Sequence, residues 1–179
     1  MSIDTIKSAL PDYAKDLRLN LDSVLSEGGA PGLTMRQIGA VALASAIAAR
    51  YAPLVAAVEE FATGFLSIEE TNGAKAAAAI MAMSNIYYRA MHLIHNDEYG
   101  QLRLGLRMNV MSNPGVDKTT FELASLAVSA INGCGACLDS HERVIREHGV
   151  TAQGVQSALK IGAVMHAVAV TLEQTAAAG

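Results

Sequence analysis

Residues 132–141 read NGCGACLDSH and hold the chain's two cysteines, three positions apart, near the start of a predicted helix. A histidine follows the second cysteine by about one helical turn. At 3.6 residues per turn, Cys134, Cys137 and His141 lie on one helix face, where two sulfurs and an imidazole can meet. The spacing indicates a dithiol redox centre built on a helix.

The rest of the chain favours the same class of secondary structure. Its 179 residues are 51% hydrophobic, which excludes a disordered chain, and include 32 alanines against three phenylalanines and no tryptophan. Alanine is the best helix former, and small side chains let helices approach closely. We therefore predict an all-α fold in which residues 1–179 form a single domain.

Cap and turn residues divide this chain into helices. A break at residues 26–32, SEGGAPG, separates an N-terminal helical arm of about residues 1–30 from the body. Helix starts are predicted at Ser2, Pro11, the Thr34–Gln37 capping box, Pro53, Asp117 or Thr119, and Thr151. One further helix is predicted over residues 69–94. The helix that starts at Asp117 or Thr119 is predicted to end at Ile131, and Gly149 is the predicted C-cap of the helix that carries the cysteines.

A shift of 84 residues aligns two degenerate halves, about residues 36–95 and 120–175. Residues 45–47 align with 129–131, and Met81 aligns with Met165. The first half has Arg50, Pro53 and Ala57 where the second has Cys134, Cys137 and His141. If the repeat is real, the chemistry lies in the second half alone.

Composition excludes several classes of partner. The longest apolar run, residues 38–49, is shorter than the roughly 20 residues of a membrane span. The N-terminus lacks the order of a secretory signal, so we expect a cytoplasmic protein in which a structural disulfide is unusual.

A net charge of -4 argues against nucleic acid as the main partner. With no phosphate-binding loop, no tightly bound nucleotide is expected.

The two cysteines receive different roles from their spacing. A thiolate is the attacking form of cysteine, and a helix N-terminus, the neighbouring sulfur and a histidine base all favour it. His141 is closest in sequence to Cys137. We therefore assign Cys137 as the attacking thiol, and Cys134 as the thiol that resolves to a disulfide or supplies a proton.

Glu122 is the sole acid in an otherwise apolar or small stretch, twelve residues before Cys134. Such a carboxylate is either solvated at a helix start or paired inside the protein. One interpretation is a proton relay of Glu122, His141 and Cys137. The other is that Glu122 complements the dipole of its own helix.

Two further interpretations of the cysteine pair stay open. The cysteines could be ordinary buried thiols, or Cys134, Cys137 and His141 could bind zinc with Glu122 or His148 as fourth ligand. Elsewhere, His92 and His95 fit a solvated helix end, and His148 and His166 fit structural roles. The eight methionines fit core filling better than a cofactor site.

The combination of Glu122, Cys134-Gly135-Ala136-Cys137 and His141 resembles the redox motif of AhpD-type alkylhydroperoxidases, within the carboxymuconolactone decarboxylase-like superfamily. The resemblance covers essentially the whole chain. It includes the segments LPDYAKD at 10–16, GLRMN at 105–109, NPG at 113–115 and AVSAINGC at 127–134.

This resemblance implies an antioxidant enzyme, a peroxidase-type oxidoreductase with an all-helical fold, commonly a homotrimer. Such proteins take electrons from dihydrolipoamide on a lipoylated acyltransferase and pass them to the peroxiredoxin AhpC, with weaker direct reduction of organic hydroperoxides. Carried over by position, Cys137 becomes the sulfenic acid and Cys134 is its resolving partner and proton donor. Glu122 and His141 correspond to the relay.

One departure concerns Ala136, because AhpD proteins of this type often have histidine there. This puts direct peroxide turnover most in doubt, and favours as an alternative a dithiol oxidoreductase with little direct peroxidase activity. A cysteine-independent decarboxylase, as elsewhere in the superfamily, and a pure interaction module are further alternatives.

Overall fold

The computed structural model describes residues 1–177, and these residues form helices and turns with no β-strand. The predicted all-α fold is confirmed. The helices are α1 Ile3–Ala9, α2 Asp16–Val24, α3 Met35–Ala49, α4 Ala52–Ala62, α5 Ile68–Leu93, α6 Lys118–Ile131, α7 Gly135–Glu147 and α8 Ala152–Ala177, with short 3-10 turns at Asp12–Ala14, Asp97–Gln101 and Asn109–Ser112.

Most helices begin at the predicted capping residues. The Thr34 hydroxyl accepts from the Gln37 amide while the Gln37 side chain accepts from the Thr34 amide, which completes the predicted capping box. Ser67 forms a second capping box ahead of α5, which our reading of the sequence had not identified. Pro11 was predicted to open an α-helix, but it precedes a 3-10 turn at Asp12–Ala14, and α2 begins at Asp16.

Helix α3 runs through the centre of the protein and packs against α4, α5, α6 and α8. Every residue from Ile38 to Ala46 is buried. Small residues allow this packing, as where Gly162 on α8 faces Ala127 on α6: a Cβ at Gly162 would lie 3.3 Å from the Ala127 carbonyl oxygen. The core therefore relies mainly on close helix contacts and aliphatic side chains, with Phe121 as a buried aromatic residue.

The two helix runs α3–α4–α5 and α6–α7–α8 each end in a helix of 26 residues. Helices α1 and α2 pack on α4 and α8 respectively. The division into a single domain, an N-terminal arm and two repeat halves stays a prediction.

Among the helices of residues 1–177, one is long and apolar enough to cross a membrane by length and composition, namely Ala152–Ala176 within α8. Half of its most apolar stretch is buried inside the protein, against α2, α3 and α6. That burial is typical of a core helix. A search for continuous apolar runs in the sequence does not find this stretch, because polar residues interrupt it.

Candidate active site

The two cysteines occupy the junction between α6 and α7 and are joined in a disulfide. Cys134 is the N-cap of α7, where its sulfur accepts from the Cys137 amide at 3.3 Å. The turn before it uses Gly133 at a φ of 67°, a left-handed conformation that glycine adopts without steric cost. The backbone therefore presents both sulfurs at the positive end of a helix dipole.

The environment distinguishes the two sulfurs. Cys134 is fully buried, with 0% of its surface exposed, whereas Cys137 is 6% exposed and lines a cavity of about 390 Å³. A molecule entering this cavity meets Cys137 first. Cys137 therefore has the access to the cavity that an attacking thiol needs.

Glu122 on α6 and His141 on α7 form a buried pair. The Glu122 Oε2 atom lies 2.6 Å from His141 Nδ1, and the two residues are 8% and 7% exposed. Glu122 lies beyond the first turn of α6, and Asp117 supplies the cap of that helix. The structure therefore places Glu122 against the histidine, and the interpretation of Glu122 as a helix-dipole residue is wrong.

The other nitrogen of His141 faces a thioether. Its Nε2 atom lies 3.2 Å from Sδ of Met81, which comes from α5 and is 2% exposed. Helix α5 thus completes the surroundings of a site whose other residues come from α6 and α7. The sequence spacing carried no signal for this contact.

The cavity beside Cys137 is lined mainly by apolar atoms. Ala136 and His141 line it, together with three methionines. The prediction that the methionines only fill the core is therefore incomplete for these three. The lining residues are Met81, Ser84, Tyr88, Met108, Met111, Ala136, Cys137, Ser140 and His141. Such a lining fits an organic molecule with an apolar body better than a highly charged one.

The remaining histidines lie outside this site. His92, His95 and His166 are exposed, and so is His148, whose Nδ1 donates to the Val144 carbonyl of its own helix at 2.7 Å. Within residues 1–177, no group of three His, Cys, Asp or Glu side chains is placed to hold a metal ion. In the disulfide state the two sulfurs are bonded to each other, so neither is a thiolate that could bind zinc.

A buried amide network supports the turn that carries Cys134. Asn85 on α5 is 0% exposed; its Nδ2 donates to Ser129 Oγ and its Oδ1 accepts from Asn132 Nδ2, both at 2.9 Å. Arg89 donates to the Asn132 carbonyl from the same helix. Our reading of the sequence missed these residues, since nothing local distinguishes Asn85 from a surface residue.

We expect Asn85→Ala to destabilise the fold, because Ser129 and Asn132 would each lose a buried partner. The expected loss in the free energy of unfolding is about 1–3 kcal/mol. Chemical denaturation followed by circular dichroism measures it, with the exposed Asn72→Ala on the same helix as control. Equal stability of the two variants would contradict a supporting role for the network.

The Carboxymuconolactone decarboxylase family matches residues 97–178. The chain is 54% identical to the alkyl hydroperoxide reductase AhpD of Streptomyces coelicolor over 176 residues, covering 98% of this chain and 97% of that protein. It belongs to the AhpD family. The AhpD of Hyphomonas neptunium is 52% identical over 177 residues, 99% of this chain and 97% of the relative.

Membership of the AhpD family confirms the resemblance drawn from the motif. The family's members are named as reductases of alkyl hydroperoxides, so this chain belongs to a group of peroxide-reducing, antioxidant oxidoreductases. Among the AhpD features, the CxxC pair is present as a disulfide at the start of α7.

Proposed function

We propose that this protein is a thiol peroxidase and disulfide reductase, which reduces alkyl hydroperoxides and regenerates the peroxiredoxin AhpC. Its electrons come from dihydrolipoamide carried by a lipoylated acyltransferase, and it needs no tightly bound cofactor. One observation carries the proposal: a CxxC disulfide has its second sulfur at an apolar cavity and its first sulfur fully buried. The names of the AhpD relatives support the peroxide substrate and the link to AhpC.

In the proposed cycle, the Cys137 thiolate attacks the terminal oxygen of the hydroperoxide. The O–O bond breaks, an alcohol leaves after taking a proton, and Cys137 becomes a sulfenic acid. The Cys134 thiol then condenses with it, which releases water and forms the disulfide. A dithiol donor reduces this disulfide by exchange and is itself oxidised to a cyclic disulfide.

Glu122 and His141 supply the proton relay in this cycle. Because Nδ1 of His141 is paired with the Glu122 carboxylate, Nε2, which lies 3.2 Å from the Met81 sulfur, is the ring nitrogen that exchanges a proton with Cys137. A carboxylate that orients a histidine base is a common arrangement for activating a nucleophile. Cys134 provides the second proton when it acts as the resolving thiol.

A reconstituted reaction tests the function. Cumene hydroperoxide, dihydrolipoamide and an AhpC peroxiredoxin are combined with the protein, and oxidation of the lipoyl dithiol is followed over time. We expect the rate to rise when AhpC is added, and to vanish in the Cys134→Ser, Cys137→Ser double variant. Undiminished activity in the double variant would favour the cysteine-independent alternative instead.

A second candidate function, a dithiol oxidoreductase with little direct peroxidase activity, is favoured by Ala136. Its methyl group lines the cavity beside Cys137, where AhpD proteins of this type often have a histidine. Without an acid at this place, the departing alkoxide has one proton donor fewer. Dithiol exchange at Cys134 and Cys137 does not need that donor.

We expect Ala136→His to raise direct hydroperoxide turnover by about tenfold or more, while dithiol exchange changes little. Position 136 is exposed at the cavity, so the imidazole has room. Initial rates with cumene hydroperoxide and with a lipoamide disulfide assay separate the two activities, and Ala136→Leu controls for bulk. Equal peroxidase rates in all three proteins would argue against this account of position 136.

The proposal also includes a cytoplasmic homotrimer. Large apolar side chains are exposed on the segment that follows α5, and burying them between subunits is favourable. They include Ile94, Tyr99, Leu102, Leu106 and Val110. Light scattering should therefore give three times the 18.7 kDa chain mass, and a monomer would remove this part of the proposal.

A further inference from the structure

The Met81 thioether is the centre of a buried polar cluster that the proposed relay does not use. Its sulfur lies 3.2 Å from His141 Nε2 and 3.7 Å from both Asn85 Nδ2 and Ser129 Oγ. Ser84 Oγ is a fourth neighbour at 3.6 Å, and its hydroxyl also donates to a backbone carbonyl of its own helix. Met81 itself is 2% exposed, and the four neighbours come from α5, α6 and α7. A methionine in a purely packing role needs no such set of polar neighbours.

The donors around this sulfur can be counted. The Asn85 amide has two hydrogens: one is donated to Ser129 Oγ at 2.9 Å, and the other faces Met81. The Ser129 hydroxyl accepts that bond, so its own hydrogen is free to point at the thioether. The sulfur therefore accepts from an amide and a hydroxyl that would otherwise be buried with a hydrogen unpaired.

His141 is a further donor when its ring carries hydrogen on both nitrogens. Glu122 accepts at Nδ1, so a hydrogen on Nε2 has the Met81 sulfur as its neighbour at hydrogen-bond distance. In the disulfide state Cys137 is bonded to Cys134 and carries no thiolate that could take this bond. The thioether thus occupies the place of the missing acceptor.

We propose that Met81 is a positioning residue for an imidazolium at His141: its thioether accepts from Nε2–H while the disulfide is closed, which fixes the ring so that the same hydrogen meets the Cys137 thiolate when the disulfide opens. A thioether suits this exchange because it is a weak acceptor, which a thiolate readily replaces. Leucine would fill the same volume without a lone pair. This inference rests on the proposed role of His141 as the proton-exchanging partner of Cys137.

Three variants separate an acceptor role from a packing role. Met81→Leu removes the acceptor and keeps the bulk, whereas Met81→Gln keeps an acceptor on a side chain of similar length. Met165→Leu is the matched control, since Met165 is a fully buried methionine on α8 that does not line the cavity. Circular dichroism of each variant establishes that the helices are retained.

Two measurements follow. Long-range ¹H–¹⁵N NMR of His141 in the oxidised protein reports which ring nitrogen carries hydrogen, without any substrate. The alkylation rate of Cys137 by iodoacetamide, measured against pH in the reduced protein, reports thiolate stabilisation. We expect Met81→Leu to change the His141 pattern, to slow alkylation at pH 7 by about tenfold, and to move the profile to higher pH.

We expect Met165→Leu to match the wild type and Met81→Gln to recover most of the rate. The proposal is overturned if Met81→Leu behaves like Met165→Leu in both measurements, or if Met81→Gln is as impaired as Met81→Leu. Should Met81→Leu fail to fold, the comparison of Met81→Gln with the wild type still decides, because a packing role predicts loss with glutamine. The NMR result needs no catalytic turnover, so it remains decisive even if the proposed function is wrong.

Discussion

Replacement of Cys137 by serine should abolish hydroperoxide reduction, with a fall in rate of about 10³-fold or more. Cys137 is the sulfur that lines the cavity, and a serine hydroxyl at the same place is a far weaker nucleophile toward peroxide oxygen. The buried Cys134 cannot replace it without rearrangement of the α6–α7 junction. Steady-state consumption of cumene hydroperoxide, with dihydrolipoamide as donor, measures the loss.

The matched control is Cys134→Ser, which keeps the attacking sulfur and removes its partner. Without added dithiol, this variant should consume about one equivalent of hydroperoxide rapidly and then stop, with its sulfenic acid left uncondensed because no resolving thiol is present. A single-turnover experiment distinguishes the two serine variants. If Cys137→Ser retained the first turnover and Cys134→Ser did not, the roles would have to be exchanged.

Replacement of Glu122 by glutamine should lower the rate at which Cys137 reacts by about 10²-fold. The carboxylate lies 2.6 Å from His141 Nδ1 in a buried site, so its charge supports the imidazolium that pairs with the Cys137 thiolate. An uncharged amide of the same shape keeps the volume and loses that support. Stopped-flow measurement of the reduced protein with hydroperoxide gives the rate.

The control for this substitution is Glu147→Gln, at the exposed end of α7. It makes the same chemical change on the helix that carries His141, outside the buried pair, and should leave the rate unchanged. Equal rates for Glu122→Gln and the wild type would mean that the buried pair is structural and that the relay is wrong.

The fold was open to prediction because its determinants are local. Alanine content, the Thr34 capping box and the Asp117 cap act within a few residues, and the helices begin where these signals stand. Pro11 shows the limit of such signals: a proline fits the start of several kinds of turn, and here it precedes the 3-10 turn Asp12–Ala14.

The site was open to prediction only where it lies on one helix. Cys134, Cys137 and His141 are held together by the helical period, whereas Glu122 pairs with a histidine 19 positions away, and the spacing left its role undecided. Met81 comes from 60 positions away, and its contact depends on how α5 packs against α6 and α7. Periodicity along the sequence carries no information about that packing, so the sequence predicts only a core role for Met81.

Trapping the sulfenic acid tests most directly the claim that Cys137 is the peroxide-attacking thiol. The Cys134→Ser variant is reduced, mixed with one equivalent of cumene hydroperoxide and treated with a dimedone probe, and the labelled peptide is identified by mass spectrometry. We predict a single dimedone adduct on Cys137, formed at the rate of hydroperoxide consumption. Hydroperoxide consumption without an adduct on Cys137, or an adduct on Cys134 in the Cys137→Ser variant at a comparable rate, would contradict it.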